Sequence, residues 1–327
     1  MRAIIQNKRG KDFSTMQLVE QPAETPNNGE LKVRMITSRI NPVDMDLMKG
    51  FPSLKYKKPQ IGGIDGAGEV IEVGKGVSKF QVGDKVLFYR LFSDIGTWAE
   101  EITIKAKDCA KIPDNFGALE AGAIALPILT AYEAVISLQP QKGDKILVHG
   151  AGGGVGFQAV QICKALGLEV IANASKRDED NLIAAGVSKI IDYKSQDFSE
   201  VLNESELDYI FDVIGKETLL KSIQLKPKKV VSISFPDTSK MHKAGVNLPG
   251  FFKFIMKMMN KKFVKAAKKE NVILLGQVTG ANGSNMQKAI DLISSNNYIK
   301  RELRIKKLDE ISKEGLSKTD IGKVITF

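Results

Sequence analysis

A buried strand that runs straight into a glycine-rich turn and then a helix constrains this chain more than any other feature. The segment lies between Lys145 and Arg177 and reads KILVHGAGGGVGFQAVQICKALGLEVIANASKR. Its turn carries Ala151-x-Gly153-x-x-Gly156, a dinucleotide-binding fingerprint with alanine at its first position. Gly153 lets the backbone approach a pyrophosphate, and Gly156 lets the next helix pack closely on the strand. We therefore predict a dinucleotide site at the N-terminus of that helix, with a generic glycine turn as the alternative.

The end of the second strand in this segment indicates which dinucleotide is bound. Sites for NAD place Asp or Glu there, where the carboxylate binds the ribose 2′-hydroxyl. This chain has Ser175-Lys176-Arg177 instead. A hydroxyl and two cations suit a 2′-phosphate, so the sequence predicts NADPH. The alternative is that Lys176 and Arg177 are solvated loop charges.

The pattern of short strands and turns divides the chain into two predicted domains. Residues 1–120 read as β-rich, with short apolar runs between clusters of Gly, Pro, Asn and Asp. After a helical pattern at 123–138, strands and helices alternate, which indicates βαβ units and a doubly wound parallel sheet. The tail returns to short strands near 299–307 and 322–327. We predict a β-rich domain over 1–122, completed by 281–327, and an α/β domain over 123–280.

Composition limits the class of protein and its compartment. The chain has 327 residues and two cysteines, Cys109 and Cys163, so a disulfide framework is not expected. The N-terminus lacks the apolar core of a secretory signal. The longest apolar run, 121–131, contains Pro127 and falls short of the roughly 20 residues that span a membrane. We therefore expect a soluble, cytoplasmic protein.

Several further motifs give the chain a family resemblance over nearly its whole length. It resembles the zinc-free quinone oxidoreductase (zeta-crystallin-like) branch of the medium-chain dehydrogenase/reductase superfamily. The motifs that carry the resemblance are Ile40-Asn41-Pro42-Val43-Asp44 with Gly50, the stretch from Gly63 to Gly74, Val82-Gly83-Asp84-Lys85-Val86, Gly96-Thr97-Trp98-Ala99-Glu100, Leu126-Pro127 with Thr130-Ala131-Tyr132, Phe211-Asp212-Val213-Ile214-Gly215 and Gly322-Lys323-Val324-Ile325. The resemblance implies a GroES-like catalytic domain and a Rossmann cofactor domain, with the cofactor in the cleft between them.

The resemblance also implies roles for individual residues. Asn41 and Asp44 would lie near the nicotinamide as the catalytic pair, and Thr130 would contact the cofactor near the domain junction. The other implied contacts are Gly153, Gly154 and Val155 at the pyrophosphate, Ser175, Lys176 and Tyr193 around the adenosine ribose and its phosphate, and Ile214, Phe235 and Thr279 along the cleft. For Asn41, Thr130 and Tyr193 the alternative is local structure, namely a turn, a helix cap and a strand end.

Metal ligands are missing where zinc-dependent relatives carry them. Those relatives have Gly-His-Glu where this chain has Gly63-Ile64-Asp65, and a cysteine ligand within residues 41–44. A tetrahedral zinc site needs three Cys, His or carboxylate ligands, so we predict no metal and assign His149 to packing or hydrogen bonding. Without a Lewis acid, alcohol oxidation loses its main support. The predicted reaction is hydride transfer to a quinone or an α,β-unsaturated carbonyl.

Two departures from the family pattern affect the source of the proton. Several relatives have tyrosines where this chain has Asp46 and Trp98. The proton is then expected from solvent or from Tyr56. An enoyl-thioester reductase is the nearest alternative enzyme, and the missing tyrosine counts against it.

A basic segment at 251–270 leaves a second class of function open. It reads FFKFIMKMMNKKFVKAAKKE, with seven lysines against one acid, in a chain whose net charge is +10. Such a helix fits a membrane surface or a partner groove, and the alternative function is a non-catalytic cofactor-binding or peripheral membrane protein. We expect instead that its apolar side packs on its own domain and its lysines face solvent. The sequence contains no nucleic-acid-binding motif. Separately, the family resemblance implies a homodimer that forms through the last Rossmann strand, near 272–278.

Overall fold

The protein is described by a computed structural model that covers residues 1–10, 13–50, 59–235 and 237–327. The strands are β1 (Arg2–Gln6), β2 (Met16–Glu20), β3 (Glu30–Arg39), β4 (Gln60–Ile61), β5 (Asp65–Val73), β6 (Lys85–Tyr89), β7 (Glu101–Lys105), β8 (Cys109–Lys111), β9 (Lys145–His149), β10 (Glu169–Ala174), β11 (Lys189–Asp192), β12 (Tyr209–Asp212), β13 (Lys229–Ser232), β14 (Ile273–Gly276), β15 (Ile305–Lys307) and β16 (Val324–Thr326). The helices are α1 (Pro42–Lys49), α2 (Ala118–Ser137), α3 (Gly154–Ala165), α4 (Glu179–Ala184), α5 (Phe198–Val201), α6 (Lys216–Gln224), α7 (Gly250–Lys269), α8 (Gly283–Ser294) and α9 (Leu308–Glu314).

The β-rich part of the chain is built from two largely antiparallel sheets. One sheet has the order β2-β1-β4, and the other has the order β15-β16-β3-β5-β6-β8, with β7 also paired to β3. The last strand, β16, pairs antiparallel with β3 and sets Val324 opposite Arg39. The C-terminus therefore returns to the N-terminal sheet, as the strand pattern predicts.

The second part is a six-stranded parallel sheet in the order β11-β10-β9-β12-β13-β14. The chain moves outward from β9 through β10 to β11 and then crosses back to β12, so the strand order reverses between β9 and β12. Ligands bind at such a switch point, outside the carboxyl ends of the strands. The predicted fold class, a GroES-like β-rich domain with a Rossmann domain, is confirmed. Strand β14 is an edge strand in this sheet, and dimerisation through it stays a prediction.

Helix α2 joins the two parts and crosses the predicted boundary at residues 122 and 123. By length and composition it could span a membrane, so the expectation that no segment reaches that length is wrong. Most of its apolar residues are buried, however, in the largest hydrophobic cluster, where it packs against β5 and α3. It is a core helix, and the domain boundaries themselves stay a prediction.

Pro127 interrupts the hydrogen bonding of α2, and two side chains from the β-rich part compensate. Proline has no N–H, so the Ala123 carbonyl lacks its usual helical donor. Arg39 Nη1 donates to that carbonyl at 2.9 Å. The Leu126 N–H donates to Asp65 Oδ2, also at 2.9 Å. The helix break is thus held by β3 and β5, next to the candidate site.

Helix α7 forms where the sequence predicts a helix, but only its C-terminal half packs on the domain as predicted. Its C-terminal half buries Phe263 and Ala267 in a hydrophobic cluster of the α/β part. Its N-terminal half leaves Phe252, Ile255 and Met259 exposed, although their spacing predicts a buried face. The expectation that the whole apolar side packs on its own domain is therefore wrong, because the first turns extend beyond the core.

Candidate functional site

The glycine-rich turn after β9 has the geometry that a pyrophosphate requires. Gly150 has a φ of 62°, and the Gly153 N–H donates to the Gly150 carbonyl at 2.8 Å. A Cβ on Gly156 would overlap the Gly150 carbonyl oxygen, so α3 can lie this close to the turn only with glycine there. Helix α3 begins at Gly154, and its N-terminal amides carry a partial positive charge. The turn therefore fits a phosphate group at this helix end.

Two cavities adjoin this turn. Cavity A has a volume of about 620 Å³ and is lined by the turn, by α2 and by the C-terminal segment around Arg301 and Arg304. Cavity B has a volume of about 890 Å³ and lies at the ends of β10 and β12. Both are lined by Gly152, Gly153 and Arg177. Together they form an open groove on both sides of the phosphate-binding turn.

Two of the predicted adenosine contacts, Ser175 and Tyr193, line cavity B, together with Arg177 and the predicted cleft residue Ile214. The side chains of Tyr193 and Ile214 are exposed there, and Lys176 is exposed beside them. These residues lie close together, and their contacts with a cofactor stay predictions.

An acid that the sequence reasoning missed lies in the same place. Asp178 is buried, and a Cβ on Gly152 would overlap its carboxylate. Ser175 Oγ donates to Asp178 Oδ2 at 3.2 Å, and Arg177 lies 3.4 Å from the same oxygen. Arg301 Nη2 donates to Asp178 Oδ1 at 3.1 Å. Two guanidinium groups thus offset the acid that would otherwise repel a phosphate.

Four arginines line cavity A, and only Arg177 among them was predicted; Arg39, Arg301 and Arg304 were not. Arg301 also donates to the Gly152 carbonyl at 2.7 Å and stacks on the Phe157 ring at 5.0 Å. Burial lowers the pKa of the Arg39 guanidinium, the Asp65 carboxylate raises it, and the charges of Arg301 and Arg304 lower it further. Arg39 and Arg304 donate to the backbone carbonyls of Ala123 and Ile321. The mutual repulsion of these cations would be relieved by an anion.

The predicted catalytic residues form a buried network around Asn41. The Asn41 N–H donates to Asp44 Oδ2 at 2.6 Å, and Asn41 Nδ2 donates to Asp65 Oδ1 at 2.8 Å. Burial raises the pKa of Asp65 to about 6, against hydrogen bonds from Leu126 and Asn41 that lower it. Burial and the neighbouring Asp65 raise the pKa of Asp44 well above its usual value. Asp65 is thus a second buried carboxyl group in this network, and the sequence analysis assigned it no catalytic role.

Asp65 gives a prediction for pH-dependent stability. The pKa of Asp65 in the folded state, about 6, exceeds the usual 3.8. Protonated Asp65 therefore stabilises the fold fully below about pH 3.8, and this contribution is lost as the pH rises through about 6. Asp65→Asn removes this titration. The free energy of unfolding of the wild type, minus that of the variant, should fall by about 2 kcal/mol from about pH 4.5 to about pH 7. Urea unfolding at both pH values measures it, and a difference that rises with pH would contradict it.

Six other predicted cofactor or catalytic residues do not line either cavity. Thr130 is buried on α2, Phe235 packs edge-on against Phe263 with 6.0 Å between ring centroids, and Thr279 Oγ1 accepts from Gln277 at 3.4 Å. Val155 lies in the first turn of α3. Asn41 and Asp44 are also buried. Their cofactor contacts stay predictions.

The remaining residues singled out from the sequence have structural surroundings. His149 is buried and hydrogen-bonded to Asn173 at 2.9 Å and to Ser222 at 2.8 Å, which confirms its predicted hydrogen-bonding role. Burial lowers its pKa to about 4. Trp98 is fully buried against Phe13. Tyr56 lies outside the described residues. Among the residues that the structure describes, no three His, Cys, Asp or Glu side chains could hold a metal ion together.

Comparison with known proteins agrees with this architecture. Residues 27–114 match the alcohol dehydrogenase GroES-like domain, and residues 154–240 match the zinc-binding dehydrogenase family. The two matched ranges lie in the β-rich part and the α/β part respectively. The class that fold and turn define is therefore a two-domain, nicotinamide-dependent oxidoreductase.

Individual relatives narrow the class. The chain is 34% identical over 217 residues to the chloroplast envelope quinone oxidoreductase homolog of Arabidopsis thaliana, covering 64% of this chain and 66% of that protein. It is 31% identical over 223 residues to the chloroplastic quinone-oxidoreductase homolog of Spinacia oleracea, covering 66% and 68%. The solved quinone oxidoreductase from Coxiella burnetii has the same fold, with a TM-score of 0.81 and 24% identity over 100% of this chain and 99% of that one. The chain belongs to the quinone oxidoreductase branch of the medium-chain dehydrogenase/reductase superfamily.

Proposed function

We propose that this protein is an NADPH-dependent, zinc-independent oxidoreductase that transfers hydride to a quinone or an α,β-unsaturated carbonyl compound. The observation that carries the proposal is the glycine-rich turn at the start of α3, flanked by cations in both cavities. Two curated relatives named as quinone oxidoreductase homologues support a quinone as acceptor. The cofactor supplies the hydride when it is bound, and the protein supplies orientation and charge.

The cofactor preference rests on the balance of charge at the end of β10. Lys176 and Arg177 are exposed beside cavity B, and the Arg177 guanidinium is 83% exposed. The acid nearby, Asp178, is buried and paired with Arg301 and Arg177. Two accessible cations next to a neutralised acid favour a 2′-phosphate over a bare ribose hydroxyl. This supports NADPH.

Zinc independence rests on the donor atoms at the position that zinc enzymes use. Ile64 has no donor atom, and Asp65 already accepts hydrogen bonds at both carboxylate oxygens, from Asn41 and Leu126. These residues do not fit a zinc ion, although one matched family carries zinc in its description. The proton that reduction of the acceptor consumes is assigned to Asp44. Burial raises the pKa of the Asp44 carboxyl, which favours its protonated form, and its Oδ1 has no hydrogen-bond partner among the described residues.

Stopped-flow oxidation of NADPH against quinones, enals, enones and enoyl-CoA tests the proposal. We expect at least one quinone or enone to oxidise NADPH well above the rate without acceptor. Turnover with enoyl-CoA alone would favour an enoyl-thioester reductase. If no acceptor exceeds the control rate, the enzymatic proposal fails.

The same assay tests the cofactor. Lys176→Ala/Arg177→Ala should raise KM for NADPH about 10–100-fold and leave KM for NADH unchanged, because only NADPH carries the 2′-phosphate. The matched control, Arg34→Ala/Lys75→Ala, removes two exposed cations away from the turn and should change neither constant. An equal effect of the first variant on both cofactors would contradict the assignment of NADPH.

A further inference from the structure

The two halves of α7 have different surroundings. The C-terminal half is anchored, because Phe263 and Ala267 are buried and Ala266 packs against the same cluster. In the N-terminal half, Phe251 is 70% exposed, Phe254 60%, Met258 61% and Met259 69%. Only Met256 in these turns packs against the core. A firmly held helix therefore presents large apolar side chains to solvent, which soluble proteins rarely do in a contiguous patch.

The exposed half of α7 is amphipathic in its own right. Residues 251, 254, 255, 258 and 259 have the spacing that places them on one side of a helix. Lys253, Lys257 and Lys261 follow one another at four-residue intervals, which forms a row along another side. No carboxylate of the described residues lies within salt-bridge distance of these three lysines. The pattern combines an apolar stripe with a free row of cations.

Two partners could cover this surface, a second copy of the chain or an anionic lipid bilayer, and charge favours the bilayer. A second copy would bring lysine rows together if the two helices packed through the same face, which is unfavourable. An anionic bilayer offers negative headgroups to the lysines and an apolar layer to the phenylalanines and methionines. A helix with this combination lies in the membrane interface with its apolar side buried at the boundary between headgroups and acyl chains.

We infer that the N-terminal half of α7 docks the protein on the surface of an anionic lipid bilayer. Phe251, Phe254, Met258 and Met259 enter the interface, and Lys253, Lys257 and Lys261 contact acidic headgroups. The C-terminal half stays in the fold, where Phe263 contacts Phe235. This docking surface is separate from the catalytic and cofactor residues, and the inference stands whether or not the proposed acceptor is correct.

Flotation with lipid vesicles tests the charge requirement. The 327-residue chain should bind vesicles of phosphatidylglycerol and phosphatidylcholine and bind pure phosphatidylcholine at least tenfold more weakly. Lys253→Glu/Lys257→Glu should weaken binding to the anionic vesicles at least tenfold, as should raising ionic strength from about 0.1 M to about 1 M. The matched control, Lys75→Glu/Lys288→Glu, has the same net charge and should bind like the wild type. An equal loss in the control, or no binding by the wild type, would overturn the inference.

A second variant tests the apolar requirement. Phe254→Ser/Met258→Ser changes only exposed positions, so we expect an unchanged melting temperature, unchanged NADPH oxidation and at least tenfold weaker vesicle binding. Sedimentation velocity without lipid tests the alternative partner, a second copy of the chain. If the wild type is an oligomer that this variant dissociates, a second copy covers the surface and the membrane inference is wrong.

Discussion

Gly156→Ala is expected to destabilise the protein by about 3 kcal/mol and to abolish measurable cofactor binding. The added Cβ would overlap the Gly150 carbonyl oxygen and press on the Ala151 backbone. Backbone atoms in a tight turn cannot move aside as a flexible side chain can, so α3 must shift away from the turn. That shift would displace the amides that face the phosphate. Urea unfolding and NADPH fluorescence titration measure the two effects.

Two other glycines provide the comparison for this variant. A Cβ on Gly153 would lie 3.1 Å from the same carbonyl oxygen, so Gly153→Ala should cost less stability while still crowding a bound phosphate. A Cβ on Gly250 meets nothing within 4 Å, so Gly250→Ala should be neutral. If Gly156→Ala unfolds at the same urea concentration as Gly250→Ala, the close packing of α3 on the turn is not required.

Arg39→Met is expected to weaken the binding of NADPH and of NADH to the same extent. The guanidinium lies beside Gly154 at the start of α3, where a pyrophosphate common to both cofactors would bind. A hydrogen bond to a charged group contributes about 1.5–3 kcal/mol, so Kd should rise about 10–150-fold. Methionine retains much of the apolar stem. Fluorescence titration below the melting temperature of the variant gives both constants.

Arg34→Met is the matched control for Arg39→Met. Arg34 lies on the same strand, but its guanidinium is largely exposed and pairs only loosely with Glu69, at 3.7 Å. Its replacement should leave both constants unchanged. A loss confined to NADPH would show that Arg39 reads the 2′-phosphate. Unchanged affinity for both cofactors would mean that cavity A does not receive the pyrophosphate.

The parallel sheet could be predicted because its strands are buried on both faces and read as continuous apolar runs. Strands β9 and β10 flank the glycine-rich turn and α3, in the order that the segment from Lys145 to Arg177 predicts. Helix α6 leaves a weaker signal because it is short and polar, with Leu219, Ser222 and Ile223 as its buried residues. Helix α1 carried a readable signal, since Asn41 precedes Pro42 and the Asp44 carboxylate accepts from the Asn41 N–H. The alternative of a turn at Asn41 does not hold, because Asn41 directly precedes the first turn of α1.

The phosphate-binding turn was predictable because its residues are local. The cations around it were not. Arg39 and Arg301 reach the turn from opposite ends of the chain, which tertiary contacts such as the pairing of β16 with β3 bring together. Asp178 follows the predicted residues by one position, but its proximity to Gly152 depends on how the loop folds back. Contacts of this kind leave no periodic or spacing signal in a single sequence.

The proline break in α2 has a consequence for exchanging parts of this protein with a relative. A crossover placed between residues 122 and 123 would separate Ala123 and Leu126 from Arg39 and Asp65, which hold them across the junction. A chimera made there would keep an interrupted helix and lose the two side chains that satisfy it, unless the donor supplied equivalents. The exchangeable block at this joint is therefore α2 together with β3 and β5. The boundaries of this block are set by the hydrogen bonds between α2 and the two strands. They do not coincide with the point where the strand-rich pattern of the sequence gives way to alternating strands and helices.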